Sequence, residues 1–465
     1  MSNPDHHEAT IAAIATPMGG GGVGIIRVSG PRSREVLAGL FRPRSPVATF
    51  VSHRLYYGDA VDPVSRAVLD EVLAVYMRAP HTYTREDVVE FHCHGSSLVL
   101  QEVLFRILLF PGTRLADPGE FTKRAFLNGR IDLTQAEAVA ELLAAKTEKG
   151  ARLAVTGLRG GLHDAIEKIR TALVALRAIM EVAIDFPDED VEILDPEALL
   201  ARLADGVVQP LGLLLGRATA GRIMREGAAV VILGRPNVGK SSLLNRLLRE
   251  DRAIVTDIPG TTRDTIEEYL DIRGIPIRII DTAGIREDVG VVEGIGVERA
   301  RRKLAEADLV LLVLDGAEGL TGEDRALYEL MADRQVVVVV NKLDRMAAFD
   351  VASYEEVFSG SRVVAVSARD GLGVEALEEA VHAAVTGGEE LPEPDHAVPN
   401  VRQVAAMQRT LAAAGRVEEG LRQGLSPDLL AIDLQEALNH LGEIVGETTT
   451  EDVLERIFAE FCIGK

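Results

Sequence analysis

Gly234-Arg-Pro-Asn-Val-Gly239-Lys240-Ser241 fits the pattern G-x-x-x-x-G-K-[ST], and its flanks decide the fold. The apolar run Ala229 to Leu233 precedes it and reads as a buried strand. Ser242-Leu-Leu-Asn-Arg-Leu-Leu follows it and reads as a helix. Strand, glycine loop and helix in that order form a phosphate cradle. The glycines let backbone amides curl around phosphate oxygens, and the helix N-terminus adds its positive dipole. Lys240 supplies a point charge to the β- and γ-phosphates, and the Ser241 hydroxyl suits Mg2+. Working outward, the runs Ile275 to Ile280, Leu309 to Leu314, Val336 to Val340 and Val363 to Val366 alternate with helical stretches. That alternation predicts βαβ units on a mostly parallel sheet.

The rest of the chain has a different character. Residues 1–128 mix short strand-like runs (Val23 to Val28, Val72 to Tyr76, Val88 to Phe91) with Gly/Pro turns and read as α+β. Residues 129–226 are rich in Ala, Leu and Glu. Thr134-Gln-Ala-Glu137 has the capping-box pattern, and helix is expected to Ala183, split around Gly157 to Gly161. Asp185-Phe-Pro-Asp-Glu-Asp190 interrupts before helix resumes from Pro196 to Arg225. Residues 227–386 hold the α/β pattern. After the Pro/Glu-rich link Glu389 to Pro394, residues 387–465 return to helix. Ser426-Pro427 opens one helix, and Leu454, Ile457, Phe458 and Phe461 form the apolar face of the last. The expected fold class is multidomain: an α+β N-terminal domain and an α-helical domain into which an α/β P-loop domain is inserted.

Composition narrows the function classes. Of 465 residues, 47% are hydrophobic and 26% charged, which excludes a disordered or fibrous chain. Two cysteines cannot build a disulfide framework or a four-thiolate zinc site, so a reducing, cytoplasmic setting is expected. Lys and Arg number 50 against 72 Asp and Glu, a net charge of −22 that repels polyanions at long range. Contact with nucleic acid is then expected through a local patch or a partner. With no Trp and 4% aromatics, a large base-stacking platform is not expected. No apolar run reads as bilayer-spanning and Asp5-His-His-Glu8 does not read as a secretory signal, so no membrane role is expected. His92 and His94 share one face of a strand around Cys93. Without a further Cys/His cluster, they read as ordinary strand residues.

Asn341-Lys342-Leu343-Asp344, directly after Val336 to Val340, resembles the base-specificity motif of Ras-like GTPases. A carboxylate there accepts two N–H bonds from guanine, a donor pair that adenine lacks. Ser367-Ala368-Arg369 resembles their second base loop. Asp281-Thr282-Ala283-Gly284 resembles their γ-phosphate sensor, with Asp281 bound to Mg2+ through water and the Gly284 amide facing the γ-phosphate. Ras-like enzymes carry next a Gln that orients the attacking water; here the residue is Ile285, which cannot. Thr256-Asp-Ile-Pro-Gly-Thr-Thr-Arg-Asp264 reads as the switch segment, and Thr262 is chosen by motif position to join Ser241 on Mg2+. The GTP set implied is Asn237, Val238, Gly239, Lys240, Ser241, Ser242, Thr256, Thr262, Asp281 to Gly284, Asn341, Lys342, Asp344, Ser367 and Ala368. The missing Gln points to catalysis completed in trans or by an ion.

Taken with Gly260-Thr-Thr-Arg-Asp264, Gly21-Gly-Val-Gly-Ile-Ile-Arg-Val-Ser-Gly30 and the terminal Cys462-Ile-Gly-Lys465, the P-loop sequence resembles the tRNA modification GTPases of the MnmE/TrmE family over essentially the whole chain. The resemblance implies a homodimer acting with an FAD-dependent MnmG/GidA-type subunit on carbon 5 of the tRNA wobble uridine. It implies K+ in place of an arginine finger, held by Asn237 and backbone oxygens of Thr256, Ile258 and Thr261 or Gly260. It places Glu293 as the catalytic glutamate that orients water indirectly, beside Lys240 and Thr262. It also implies a dimerising N-terminal domain that binds 5-formyltetrahydrofolate or a related one-carbon tetrahydrofolate through Arg27, Glu90, Arg130 and Lys465, with Cys462 near the one-carbon site. The run of four glycines at 19–22 carries no arginine, so no side-chain role is expected there. Two other readings stay open at this stage: a ribosome-assembly GTPase binding rRNA, and a GTP-switched dimerisation scaffold.

Overall fold

A computed structural model describes residues 9–17, 19–186, 195–249, 253–254, 268–280, 304–331, 334–346, 348–388, 391, 393, 396–459 and 461–465. The chain divides into two compact units: residues 1–140 with 442–465, and most of 141–441.

The first unit is built on a seven-stranded sheet. Its strands are β1 (Thr10–Ile14), β2 (Gly21–Ser29), β3 (Phe41–Pro43), β4 (Arg54–Val61), β5 (Val68–Met77), β6 (Val88–Gly95) and β7 (Thr113–Leu115), in the order β3-β4-β5-β6-β2-β1-β7. Only β1 and β7 run parallel. One face packs on helices Ser33–Leu40 and Ser97–Leu108, burying Ile26, Val28, Val89 and Phe91 against Leu37, Val103 and Ile107. Because side chains alternate along a strand, this puts Arg27 on the other face, directly opposite Glu90 in the β2–β6 register. A smaller core joins Leu133 and Ala136 to Leu454, Phe458 and Phe461. Helix Leu133–Ala144 is capped two residues earlier than its sequence suggests. The Asp132 carboxylate accepts from the amides of Thr134 (2.6 Å) and Gln135 (3.1 Å), and the Gln135 side chain accepts from the Asp132 amide (3.1 Å). Asp132 and Gln135 therefore replace Thr134 and Glu137 as the capping pair; the Thr134 hydroxyl itself donates to the Asp132 carboxylate (2.6 Å).

The second unit combines a helical layer with a second seven-stranded sheet. Helix continues in pieces: Glu148–Leu158, Gly161–Asp185, Pro196–Leu203, a π-helical turn Ala204–Val208, Gln209–Gly216 and Ala218–Glu226. The break expected near Gly157 to Gly161 is there, with Gly160 left-handed at φ +87°. An unexpected one precedes Thr147, whose hydroxyl caps helix Glu148–Leu158 by accepting from Gly150 N. Helices Val401–Gln423 and Pro427–Val445 complete the layer, the first closed by a reciprocal Asn400–Gln403 capping box. One correction concerns the membrane. The helical stretch Pro196–Glu226 is long and apolar enough, by length and composition, to cross a bilayer. Its leucines at 199, 203, 211 and 214 are buried, and its first half packs on the long helices Gly161–Asp185 and Val401–Gln423. This is the apolar seam of a helix bundle.

The second sheet comprises β8 (Ala228–Leu233), β9 (Ala253–Ile254), β10 (Glu268–Ile272), β11 (Ile275–Ile280), β12 (Leu309–Asp315), β13 (Val336–Asn341) and β14 (Arg362–Ala365), in the order β14-β13-β12-β8-β11-β10-β9. The five strands from β14 to β11 are parallel. Every residue of β8, β12 and β13 is buried, as a sheet covered on both faces requires. Val230, Ile232, Leu311 and Val313 pack on helices Lys240–Arg249 and Val374–Thr386. Val231, Leu233, Leu312 and Val338 face the opposite side, toward Met331, Tyr354 and Phe358. The chain crosses to opposite sides of β8 to form β11 and β12, which makes the C-terminal end of β8 the topological switch point. Ligands of open α/β sheets bind there.

Candidate nucleotide site and N-terminal cluster

Gly234 to Ser241 turns at that switch point. Gly234 has φ +152°, and a Cβ there would lie 2.3 Å from the Val313 carbonyl oxygen. Gly239 has φ +96°, and its Cβ would lie 2.3 Å from the Asn341 side-chain nitrogen. The loop can therefore close only around glycine at both points. Asn237 is left-handed at φ +63°. Lys240 is buried at the head of helix Lys240–Arg249, its ammonium donating to the carbonyls of Arg235 (2.8 Å) and Gly234 (3.2 Å). Ser241 is half-buried one residue on and Ser242 is exposed. The second loop residue, Arg235, is anchored through Nε to Asp324 Oδ1 at 2.9 Å. Asp324 is fully buried, and its other oxygen closes the capping box of helix Gly322–Glu329 with Thr321.

The base motifs stand at the ends of β13 and β14, beside this loop. Asn341 is buried, and its amide is used structurally: Nδ2 donates to the Val238 carbonyl (2.9 Å), and Oδ1 accepts from the Ala368 amide (3.1 Å). It thus clasps the P-loop to the second base loop. Lys342, left-handed at φ +65°, donates to the Asn237 carbonyl (2.7 Å) and to Asp315 Oδ2. Burial opposes ionisation of Asp315, but the Lys342 ammonium and the Ala317 amide outweigh it and hold its carboxyl below the usual range. Ser367 donates to Asp344 Oδ1 at 2.8 Å, aligning that carboxylate. Asp315 is absent from the sequence-based set. Its signal was a charge closing an apolar run, in register with Asn341. Thr256, Ile258, Gly260, Thr261, Thr262, Asp281, Thr282, Ala283, Gly284, Ile285 and Glu293 lie outside the described residues.

In the first unit, Arg27 Nε meets Glu90 Oε1 at 2.8 Å, and His92 Nε2 lies 3.4 Å from Glu90 Oε2. Burial raises the Glu90 pKa, yet the hydrogen bond from His92 and the Arg27 charge win and hold it below the usual value. The last residues fold onto this cluster: Lys465 O accepts from Phe121 N (3.1 Å), and Cys462 O from Gly119 N (3.4 Å). Gly464 O accepts from Arg27 Nη1 at 3.5 Å. Gly464 has φ +96°, and a Cβ there would lie 2.4 Å from Ile14 O. The Arg27 guanidinium lies over the Phe121 ring at 5.7 Å and that of Arg130 over Tyr83 at 5.9 Å. Burial raises the Tyr83 pKa against the fields of both arginines, so all four groups belong to one neighbourhood. Phe121 and Tyr83 were missed because aromatics without a motif read as core. Cys462 is exposed and follows the helix Glu451–Ala459 rather than lying on it. Cys93 faces the core, where burial pushes its thiol up to about 12.

A parallel sheet with a glycine phosphate loop at its switch point, and Asn-Lys-x-Asp and Ser-Ala loops at its next strand ends, defines a P-loop GTPase. The family description "MnmE helical domain" matches residues 133–462 and "GTP-binding protein TrmE N-terminus" matches 10–130. Proteins named tRNA modification GTPase MnmE align along nearly the whole chain. That of Desulfotalea psychrophila is 51% identical over 460 residues, covering 98% of each chain. That of Heliobacterium modesticaldum is 49% identical over 464 residues, covering 98% of this chain and 99% of the relative. The chain belongs to the tRNA modification GTPase family MnmE; it is a GTP hydrolase that takes part in tRNA modification.

Proposed function

We propose that this GTPase is stimulated by K+, requires Mg2+, and works as a homodimer with an FAD-dependent MnmG/GidA-type subunit to modify carbon 5 of the tRNA wobble uridine in the cytoplasm. GTP binds across Asn237 to Ser242, with Asp344, Ser367 and Ala368 around the base. Ser241 and Thr262 take Mg2+; Asn237, Thr256, Ile258 and Thr261 take K+; Glu293 orients the water. Asp281 to Gly284 sense the γ-phosphate. The left-handed turn at Asn237 and the buried Lys240 at a helix head suit the phosphates and their counter-ions. A cation bound there neutralises charge that develops at the β–γ bridge. GTP turnover in K+ against Na+ tests the ion: faster turnover in K+ is expected, and equal rates would overturn its role.

The N-terminal domain is assigned to 1–128, the helical domain to 129–226 and 387–465, and the G domain to 227–386. The observation that carries the one-carbon reading is the C-terminal tail seated beside Arg27 and Glu90. Arg27, Arg130 and Lys465 suit the carboxylates of a folate tail, and Glu90 can accept from a pterin amine. This donor set fits a one-carbon tetrahydrofolate, and Cys462 is exposed next to it. Titration with 5-formyltetrahydrofolate is expected to saturate, and R27M to abolish binding. Nucleoside profiling of tRNA from cells lacking the chain is expected to show loss of 5-substituted wobble uridines.

A further inference from the structure

The phosphate helix reaches the base loop through a side chain that no motif marks. Arg246 lies two turns into helix Lys240–Arg249. Its Nε donates to the Ala368 carbonyl at 3.0 Å, and its Nη2 donates to the next carbonyl, that of Arg369. A planar guanidinium that binds two successive carbonyls fixes both peptide planes, which a single-point ammonium cannot do. The same loop is held from the far side: the Ala368 amide donates to Asn341 Oδ1, and the Ser367 hydroxyl both donates to Asp344 and accepts from the Asp370 amide at 3.1 Å. Remove the Arg246 fork and residues 367–369 lose their tie to the phosphate helix, keeping their contacts with β13 and its following turn and the loop's own bonds from Ser367 to residues 370–372.

We infer that Arg246 is a positioning residue for base selection: it ties the second base loop to the phosphate helix and, through Ser367, keeps the Asp344 carboxylate aimed at the base. Its role is to hold the peptide that presents Ala368 and the hydroxyl that orients Asp344, and it touches no substrate. The inference rests on the reading of Asp344, Ser367 and Ala368 as the guanine site. It extends that site to a residue outside every signature.

Three probes separate the possibilities: GDP, IDP, which lacks the exocyclic amine that Asp344 would accept from, and inorganic pyrophosphate, which has no base. The wild-type chain is expected to bind GDP more tightly than IDP. If it binds both equally, the guanine reading itself fails, whatever Arg246 does. Given that preference, R246M is expected to weaken GDP about tenfold, as loss of a charge-assisted fork does. It is expected to shrink the GDP-to-IDP ratio and leave pyrophosphate binding unchanged. R246K, which keeps the charge and the stem, is expected to recover part of the ratio. A merely structural role would lower GDP, IDP and pyrophosphate binding together. That outcome, or R246M binding GDP as the wild type does, would overturn the proposal. Should R246M fail to fold, R246K decides alone, because an unchanged GDP-to-IDP ratio in it, with pyrophosphate binding intact, removes the need for a fork.

Discussion

At the scale of single residues, the most constrained position is Gly239. Any Cβ there meets the Asn341 amide at 2.3 Å, and the positive φ already disfavours a side chain. Gly239→Ala is expected to push Asn341 off both Val238 and Ala368 and to lower GDP affinity at least tenfold in a fluorescent-nucleotide titration, with unchanged far-UV circular dichroism. Arg124 is the counterpart in the N-terminal unit. It is nearly buried and ion-paired with Glu120 at 2.9 Å and Glu86 at 3.0 Å, while also donating to Ala9 O. Arg124→Met leaves Glu120 with Arg114 (2.5 Å) and Glu86 with the Ser29 hydroxyl (2.6 Å) but removes the charge they share, and is expected to cost about 1–3 kcal/mol in chemical denaturation. Glu90 sets a pH dependence. Its folded pKa lies below the ordinary 4.5, so the stabilisation from Arg27 and His92 is complete above that value and is lost as pH falls through the folded one. Arg27→Met removes part of this difference. The N-terminal unit of the variant is then expected to lose less stability between pH 6 and its acid transition than the wild type, read by denaturant midpoints across that range.

At the scale of elements, strands and helices were legible to different degrees. The runs Ala229 to Leu233, Leu309 to Leu314 and Val336 to Val340 became β8, β12 and β13 with ends shifted by one residue at most. A strand buried on both faces is a continuous apolar run, which is an unambiguous signal. The half-exposed β4 mixes Arg54, Tyr56, Tyr57 and Asp59 and offered no such signal, and three-residue strands such as β3 and β7 are below what pattern can find. Helix caps were misread at Asp132 and missed at Thr147. Thr147 has two jobs: it caps Glu148–Leu158, and it donates to the Gly274 carbonyl in the β10–β11 turn at 3.0 Å. Thr147→Val keeps the shape and removes both bonds. It is expected to lower stability by about 1–2 kcal/mol, seen as a reduced denaturation midpoint, and to speed amide exchange in the 268–280 hairpin.

At the scale of the whole molecule, segments remote along the chain meet in one cluster. The N-terminal cluster is complete only with residues 462–465, more than 300 positions away along the chain from Phe121. Truncation after Phe461 is expected to abolish binding of a one-carbon tetrahydrofolate, measured by titration calorimetry, while GDP binding persists. Retained tetrahydrofolate binding by the truncated chain would remove the tail from the site.

What the sequence determined by itself was the nucleotide chemistry. Phosphate loops and base motifs are short, local and tied to particular residue types by backbone geometry, so spacing alone carries them. What only the tertiary structure decided was which distant groups complete a site. Asp315 under Lys342, Arg246 on the base loop, Phe121 and Tyr83 beneath two arginines, and the use of Asn341 as a clasp all arise from pairings across elements. Such contacts leave no period or spacing in the chain, because their partners are brought together by the packing of the sheet and not by their distance along it.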